Sequence, residues 1–406
     1  MNPPVMNPPV MNPPVMNPVI QLLGRRLRLG LIGGGGSSLI GPVHRIAARF
    51  DDGFELVAGV LSSQSDRAVG QAEALGLPRG YSDVATMLAV EAGLPDGIDA
   101  VAIMTPNDSH AEFVGLALDA GLDVICDKPL TNDLASARAL LTKARERGLI
   151  VCLTHNYSGY PMLREAKSAV AAGELGPLRL VQANYVQGSL GSHVEANPGA
   201  MTDRLRWRLD PARGGLSHVL GDIGTHAHQM LTFVTGRRVE AVLADVGAVI
   251  PGRKAHDTAS VILRLEGGAR GVMFVTKAAT GAENALTLEA YGEEGGLAWA
   301  QASANELRVM RNARPAEVRT RGLPTLHPYS RQAARLPPGH PEAFFEAFAN
   351  IYRDFASLVA ARRAGREPDS FARMAPTAAD GAEGLAFIEA CLVSTASGTW
   401  APVPRV

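Results

Sequence analysis

The chain has 406 residues, which suits two domains rather than one ordinary core. Lys and Arg number 39 against 40 for Asp and Glu, and no basic run with interleaved aromatics appears, so the charge pattern does not indicate nucleic acid or an anionic membrane as partner. Cys126, Cys152 and Cys391 lie far apart in apolar runs, which favours buried thiols over a disulfide framework or a zinc cluster. With no bilayer-spanning run and no signal-peptide pattern, the expected location is the cytoplasm.

The amino terminus carries a five-residue repeat, MNPPV three times and then MNPVI. Its prolines lack amide donors and favour extended polyproline II. We therefore expect a disordered or extended arm over residues 1–24, either functional or an artefact of the gene start.

Residues 25–154 alternate between apolar strand patterns and amphipathic helix patterns. Such alternation predicts a parallel sheet of the doubly wound, dinucleotide-binding Rossmann type. The predicted strands are 27–33, 54–62, 97–105, 122–127 and 149–155, and the predicted helices are 41–50, 83–92, 110–120 and 134–147.

Residues 155–406 show a different rhythm, with strands that follow one another without intervening helices. This predicts an α+β domain with a large, mostly antiparallel open sheet, one face of which could pair two subunits. The predicted strands are 178–187, 239–249, 259–265, 271–277 and 286–291, and the predicted helices are 162–172, 222–234, 343–361 and 380–395. The stretch 313–340, rich in Pro and Arg, is predicted to be a long surface or pocket-side loop.

Four glycines, Gly33 to Gly36, directly follow the first strand, where backbone amides and a helix amino terminus can hold a pyrophosphate. Against the pattern G-x-G-x-x-G, the third glycine is Gly41, so the loop is three residues longer than usual. The placement favours dinucleotide binding over a purely structural turn.

The second strand lacks the acidic residue that grips the ribose of NAD. Ser62 and Ser63 stand there, followed by Asp66 and Arg67. Serine hydroxyls with Arg67 could accept the 2′-phosphate of NADP, whereas Asp66 or a serine could bind a plain ribose, and either could merely cap the next helix. The choice between NAD and NADP stays open.

The stretch GGLSHVLGDIGTHAH, residues 214–228, places Asp222 and His226 four residues apart. On an α-helix this spacing puts both side chains on one face, where a carboxylate can orient an imidazole for proton transfer near neutral pH. The same spacing also occurs on solvated helix faces and at helix caps.

Two further turns lie at the carboxyl ends of parallel strands, Thr105-Pro106-Asn107-Asp108-Ser109-His110 and Cys126-Asp127-Lys128-Pro129-Leu130. Together with GDIGTH they resemble the TPN-like turn, the E-K-P turn and the G-G-x(n)-D-x-G-x-H stretch of the glucose-fructose oxidoreductase, inositol dehydrogenase and rhizopine-catabolism (Gfo/Idh/MocA) family. The resemblance covers nearly everything from Leu27 onward and implies the two-domain fold described above.

The resemblance implies that Lys128, Asp222 and His226 are the catalytic residues and that Lys128–Pro129 is a cis peptide. It also implies self-association, as a dimer or tetramer, through the open sheet. Two residues depart from the pattern: Asp127 replaces the usual glutamate of E-K-P, and His228 stands where many members have an aspartate. The expected cofactor-binding residues are Gly33, Gly35, Gly36, Ser37, Ile40, Gly41, Ser62, Ser63, Arg67, Thr105, Pro106, Asn107, His110, Asp127 and Lys128.

Oxidation of a secondary alcohol by a nicotinamide requires a base on the hydroxyl, for which His226 is the candidate. Lys128 can stabilise alkoxide character, and Asp222 can orient His226 or bind a neighbouring hydroxyl. The expected substrate-binding residues are Lys128, Tyr157, Trp207, Arg208, Asp210, Asp222, His226, His228 and His340. Several have plainer alternatives: Trp207 as core, Arg208 and Asp210 as a surface ion pair, and His340 as the cap of a helix near Pro341.

His193 and His218 are weaker substrate candidates, and no metal constellation is apparent. The function expected from these observations is an NAD(P)-dependent dehydrogenase that acts on a ring hydroxyl of a sugar, glycoside or cyclitol, in either direction. One alternative is a glycosidase that keeps NAD bound and cleaves glycosides through a keto intermediate. Another is an NAD(P)-binding regulatory protein with an inactive site.

Overall fold

The computed structural model describes residues 17–36 and 38–406, so residues 1–16 of the predicted arm lie outside it. For the remainder of the arm the expectation is wrong, because helix α1 spans Pro18–Leu23. The Asn17 side chain accepts a hydrogen bond from Val19 N at 2.9 Å, and Gly24, at φ 69°, ends the helix. Proline is compatible with the first turn of a helix, and the buried Val19 side chain fixes the turn to the protein core.

The described part of the first half forms a six-stranded, wholly parallel sheet in the order β3-β2-β1-β4-β5-β6. The predicted Rossmann fold is confirmed. The sequence pattern missed β3, whose two residues are too few to show a period. The strands are β1 Leu27–Gly33, β2 Phe54–Val60, β3 Arg79–Gly80, β4 Ala100–Met104, β5 Asp123–Cys126 and β6 Val151–Leu153, and the helices are α2 Ile40–Phe50, α3 Ser65–Ala74, α4 Val84–Ala92, α5 His110–Asp119 and α6 Leu134–Arg147.

Helix α6 shows why the local predictions hold here. The Asp133 side chain caps it by accepting from Ser136 N at 2.8 Å, and Gly148, at φ 61°, ends it. Because the strands are parallel, the turns after β1, β4 and β5 meet at one edge of the sheet. That edge is where an open α/β sheet binds its ligands.

The second half contributes a nine-stranded sheet, within the described residues, in the order β14-β13-β12-β11-β7-β10-β9-β8-β15. The pair β10·β7 is parallel and the other pairs are antiparallel, as predicted for an open sheet. The strands are β7 Leu178–Val186, β8 Val239–Gly247, β9 Thr258–Leu265, β10 Arg270–Thr276, β11 Ala285–Gly292, β12 Gly295–Ala300, β13 Glu306–Arg311, β14 Glu317–Thr320 and β15 Ala401–Pro402.

The helices of the second half are α7 Pro161–Ala171, α8 Asp203–Leu209, α9 Pro211–Gly214, α10 Thr225–Thr235, α11 Pro328–Ala333, α12 Phe344–Arg363 and α13 Ala378–Ser397, with a π-helical turn over Leu220–Gly224. Helices α7, α10 and α13 pack on one face of the nine-stranded sheet and leave the other face open. Strand β14 and helix α11 show that 313–340 is not a continuous irregular loop. Strand β14 is a short, charged edge strand and α11 has only six residues, so neither shows a hydrophobic period in the sequence.

Helix α12 crosses back to the first sheet. Its Tyr352 hydroxyl lies 2.7 Å from His44 Nδ1 on α2, and its buried side chains join the core beneath β1 and β2. The predicted boundary near residue 154 therefore marks the point where the chain leaves the parallel sheet. The two halves nevertheless pack against each other through α12.

No helix within residues 17–36 and 38–406 is long and apolar enough to cross a bilayer. The three cysteines are free and buried, as the sequence suggested. The cytoplasmic location stays a prediction.

Candidate active site

The glycine loop between β1 and α2 adopts a backbone that side chains would block. Gly33, Gly34 and Gly36 have φ of 81°, 76° and 51°, in the left-handed region that favours glycine. A Cβ on Gly41 would lie 2.0 Å from the Gly34 carbonyl oxygen, so Gly41 is the residue that lets α2 approach the loop. The site thus has the bare backbone and the helix amino terminus that fit a pyrophosphate.

Side chains hold this loop from both sides. Arg45 Nη1 donates to the Gly34 carbonyl at 2.6 Å, and Ser38 Oγ accepts from Gly41 N at 3.1 Å. Ile40 is the first residue of α2, and its contact with a cofactor stays a prediction. Ser37 lies outside the described residues.

The residues after β2, where the ribose of the cofactor is expected to bind, are polar. Ser62 is half-buried and its Oγ accepts from Gln64 N at 3.0 Å, while Ser63 and Arg67 are exposed. Asp66 lies, also exposed, in the first turn of α3. Their contacts with a cofactor stay predictions.

His110 links the two turns that follow β4 and β5. It is fully buried, with Nδ1 2.8 Å from the Pro129 carbonyl and Nε2 3.0 Å from the Thr105 carbonyl. Asn107 Nδ2 donates across to the Gly214 carbonyl at 3.3 Å, so the turn that begins Thr105-Pro106 is tied to the double glycine of the second half. The Lys128–Pro129 peptide is cis, as the resemblance implied.

Asp127 fixes the backbone that presents Lys128. Its Oδ1 accepts from Lys128 N at 2.9 Å and from Thr154 Oγ1 at 2.8 Å. Burial alone would raise the pKa of Asp127, but interactions with His44 and with the Lys128 ammonium hold it below its ordinary value. Asp127, which is shorter than the usual glutamate, therefore uses its carboxylate to stabilise the turn that presents Lys128.

Asp222 is surrounded by three cations. Lys128 Nζ lies 3.1 Å from Asp222 Oδ1 and 2.5 Å from its carbonyl oxygen, Arg208 Nη1 lies 3.4 Å from Oδ2, and Lys277 Nζ pairs closely with the same Oδ2. Burial alone would raise the pKa of Asp222, but the charges of Lys277, Lys128 and Arg208 outweigh burial and hold it well below its ordinary value. Asp222 is therefore ionised at neutral pH.

The expected pairing of Asp222 with His226 is not made. Both carboxylate oxygens accept from the cations, and His226 Nδ1 is buried with no hydrogen-bond partner among the described residues. The reason is the π-helical turn Leu220–Gly224, which precedes α10. Because Asp222 lies in the wider π turn and His226 in the α-helix, the i, i+4 geometry of an α-helix does not apply.

Aromatic rings enclose His226 instead. Its ring centroid lies 5.0 Å from that of Tyr157, 5.6 Å from that of His155 and 6.4 Å from that of Tyr185. Burial, and secondarily the Lys128 and His155 charges, hold the pKa of His226 well below its ordinary value. His226 is therefore a neutral imidazole, and the Tyr157 hydroxyl, 2.7 Å from that of Tyr185, completes the wall behind it.

Lys277 is a site residue that the sequence analysis missed, as it missed His155. It directly follows β10, where Met273 and Val275 face the buried side, and it continues that alternation as a 6% exposed lysine. Burial lowers the pKa of Lys277 and the Asp222 carboxylate opposes the shift. A lysine in register with the buried face of a strand is a signal that the sequence does contain.

The structure brings some predicted substrate residues to this site. Tyr157 packs on His226, and Arg208 contacts Asp222 while its guanidinium lies 5.3 Å from the ring of the half-buried Trp207. His218, a weaker candidate, is also part of the cluster, and burial lowers its pKa to about 4. Arg208 thus pairs with Asp222 rather than with Asp210.

Other predicted substrate residues have different surroundings. Asp210 is exposed and caps α9, accepting from Ala212 N at 3.0 Å. His228 is buried and stacks on Phe387, with ring centroids 4.5 Å apart, and burial lowers its pKa to about 4. Its expected role in substrate binding therefore finds no support in its contacts. His193 lies 3.9 Å from Glu195 in a loop.

His340 is not brought to the site. It lies exposed in the loop before α12, which begins at Phe344 rather than near Pro341. Arg335, in the same loop, pairs with Asp51 at the end of α2. Because α2 starts at the carboxyl edge of the sheet, its end lies at the opposite edge, away from Lys128.

No group of three or more His, Cys, Asp or Glu side chains that could hold a metal ion occurs within residues 17–36 and 38–406. The chemistry of the site rests on ammonium, guanidinium, carboxylate and imidazole groups.

A parallel sheet of this kind, with a glycine loop at its carboxyl edge, is the arrangement with which Rossmann-type oxidoreductases bind a dinucleotide. The family model "Oxidoreductase family, NAD-binding Rossmann fold" matches residues 27–155, and the "GFO/IDH/MocA C-terminal domain" matches residues 163–298. The chain belongs to the Gfo/Idh/MocA family.

Relatives cover nearly the whole chain. The uncharacterized oxidoreductase YfiI of Bacillus subtilis is 32% identical over 384 residues, which are 93% of this chain and 97% of the relative. Levoglucosan dehydrogenase of Pseudarthrobacter phenanthrenivorans is 27% identical over 420 residues, 94% and 99% of the two chains. The crystal structure of an inositol dehydrogenase homolog with NAD+ from Azotobacter vinelandii superposes with a TM-score of 0.87 at 32% identity, covering 93% of this chain and 97% of that one.

The protein is therefore an oxidoreductase of CH–OH groups with a nicotinamide cofactor bound at its Rossmann domain. The glycine loop, with its positive-φ glycines and the close approach at Gly41, fits the pyrophosphate of this cofactor, and the cofactor contacts of the turns after β2, β4 and β5 stay predictions.

Proposed function

We propose that the protein is a dehydrogenase that oxidises a secondary hydroxyl of a sugar, glycoside or cyclitol. The observation that carries this proposal is the convergence of Lys128 and the neutral His226 beside the turn that follows β5. The bound nicotinamide supplies the hydride acceptor. Relatives that act on levoglucosan and inositol support a polyhydroxylated substrate class.

The chain's own residues divide the remaining work. Lys128, held by Asp222 and by the turn of Asp127, presents a fixed ammonium that stabilises negative charge on the substrate oxygen. His226 takes the hydroxyl proton. Since Nδ1 is buried, Nε2 is the nitrogen that meets the hydroxyl. Tyr157 and His155 hold the ring in place through their edge-to-face contacts.

The test is turnover on a panel of monosaccharides, glycosides and inositols with NAD+ and with NADP+, followed by NADH or NADPH absorbance and by mass spectrometry of the keto product. We expect one group of substrates to yield a ketone with stoichiometric reduced cofactor. Glycoside cleavage without net cofactor reduction would instead indicate the redox-cycling glycosidase. No product with any member of the panel would refute the dehydrogenase and leave the regulatory alternative.

We also propose that the open face of the second sheet pairs two subunits. Leu180, Ile262, Val272 and Phe274 lie on neighbouring strands of this face and are 56%, 47%, 45% and 38% exposed. Exposed apolar side chains in register form a patch of the kind that proteins cover by association. Light scattering on the purified protein should give at least a dimer, and a concentration-independent monomer would refute this part.

A further inference from the structure

Positive charge exceeds negative charge around Asp222. Lys128, Lys277 and Arg208 carry three positive charges. They face the carboxylate of Asp222, which all three share, and that of Asp127, which interacts with Lys128, so one positive charge is in excess. His218 adds no charge at neutral pH, because burial lowers its pKa to about 4. Asp127, which directly precedes Lys128, hydrogen-bonds to Thr154 and to the Lys128 amide, and its charge acts on Lys128.

The excess charge is desolvated. The side chains of Lys277, Lys128 and Arg208 are 7%, 12% and 24% exposed. Charge held out of water is costly unless an anion or several acceptors compensate it. A neutral polyol offers only hydroxyl oxygens, whereas a carboxylate would compensate the one positive charge in excess.

Arg208 presents the matching geometry. Its Nη1 is engaged with Asp222, its guanidinium lies beside the Trp207 ring, and its Nε is buried with no acceptor among the described residues. His218 Nε2, in the same cluster, is likewise buried without a partner. A guanidinium whose Nε still lacks an acceptor is suited to a planar, bidentate carboxylate.

We propose that the substrate is a sugar acid, such as a uronate or an aldonate, whose carboxylate binds Arg208 with Lys277 beside it while the reacting hydroxyl lies at Lys128 and His226. The inference rests on the proposed dehydrogenase function and names the substrate class within it. Lys277 and Arg208 are then specificity-determining residues. Lys128, which faces the reacting hydroxyl, pairs with Oδ1 of Asp222, whereas Arg208 and Lys277 pair with Oδ2.

The experiment compares kcat/KM for glucuronate, galacturonate and gluconate with their parent sugars, their methyl esters and the corresponding sugar phosphates. We expect the best acid to exceed its parent and its methyl ester by about 10-fold or more, as expected for one charge-assisted hydrogen-bonded pair. In Lys277→Met the ratio of acid to neutral kcat/KM should fall by about 10-fold, mainly through KM. Arg208→Gln should also lower this ratio. Arg208→Lys should lower it less, because lysine keeps the positive charge but cannot bind both carboxylate oxygens.

Lys254→Met is the matched control, since Lys254 is exposed in a loop, and its ratio should equal that of the wild type. Affinity for NADH and the unfolding temperature identify variants that have simply misfolded. Equal use of acids and parents, a preference for the sugar phosphates, or an unchanged ratio in Lys277→Met would overturn the inference and leave the dehydrogenase standing. If no compound turned over, the proposed function would fail, and equilibrium dialysis of the same acids, with no binding found, would overturn the anion site as well.

Discussion

Replacement of Asp222 by asparagine tests the charge arrangement of the site directly. The amide keeps the size of the side chain but removes the single charge that Lys128, Lys277 and Arg208 share. Lys277, 6% exposed, is left in a desolvated setting without its anion. We expect a loss of both stability and turnover, because the same carboxylate supports the fold locally and positions Lys128.

The expected size follows from burial. Removal of one partner from a buried ion pair costs about 3–5 kcal/mol, and the low end applies here because the asparagine oxygen still accepts one hydrogen bond. With an unfolding entropy of about 2 cal/mol/K per residue, a chain of 406 residues that unfolds as one unit loses roughly 3–4 °C in Tm. Turnover should fall by about 10²-fold or more, since Lys128 loses its fixed position.

The stability difference should depend on pH. The folded-state pKa of Asp222 is depressed, so its contribution is fully present above the ordinary carboxylate pKa and is lost as pH falls through the folded-state value. The gap in Tm between wild type and Asp222→Asn should therefore be constant above about pH 5 and shrink below about pH 4.

The assay is scanning calorimetry across this pH range, with Asp245→Asn as control, because Asp245 is an exposed carboxylate on β8. The control should change Tm by less than about 1 °C. Asp222→Asn combined with Lys277→Met should unfold at a higher temperature than Asp222→Asn alone, since it removes the unpaired lysine. An unchanged Tm and turnover in Asp222→Asn, or no recovery in the double variant, would contradict the reasoning.

Three further predictions concern the base, the glycine loop and the open sheet face. His226→Asn should lower kcat by about 10²- to 10⁴-fold without changing the Kd for NADH, and a parallel loss of NADH binding in fluorescence titration would reject its role as base. Gly41→Ala should weaken NADH binding by at least about 10-fold, since its Cβ meets Gly34 at 2.0 Å, whereas Gly70→Ala, with open space around its Cβ, should bind normally; equal affinities would show that the loop is not the cofactor site. Phe274→Glu should shift the light-scattering mass toward the monomer, and an unchanged mass would place the subunit interface elsewhere.

Much of the fold could be predicted because its signals are local. Helix α6 has the predicted bounds Leu134–Arg147, set by a capping aspartate and a closing glycine, and β1 has the predicted bounds Leu27–Gly33, set by an apolar run. The errors lie where local signals are absent or ambiguous. Helix α1 begins with a proline, a residue that is also compatible with an extended arm, and β14 is a short, charged edge strand.

The predictions for the site likewise rest on local signals. The sequence by itself pointed to Lys128, Asp222 and His226, because each lies in a motif that the family resemblance makes recognisable. It also indicated the glycine loop and its third glycine, Gly41. Those predictions needed only the order of residues along the chain.

Only the tertiary structure decided which of these groups touch. The π turn separates Asp222 from His226, and the return of β10 brings Lys277, 55 residues further along the chain, onto the same carboxylate. The pairing of charges across such a separation depends on how two sheets and their helices pack, and no local pattern encodes that packing. The sequence thus determined the fold class and the chemical groups of the site, while tertiary packing decided that Asp222 pairs with cations and that His226 is a neutral imidazole among aromatic rings.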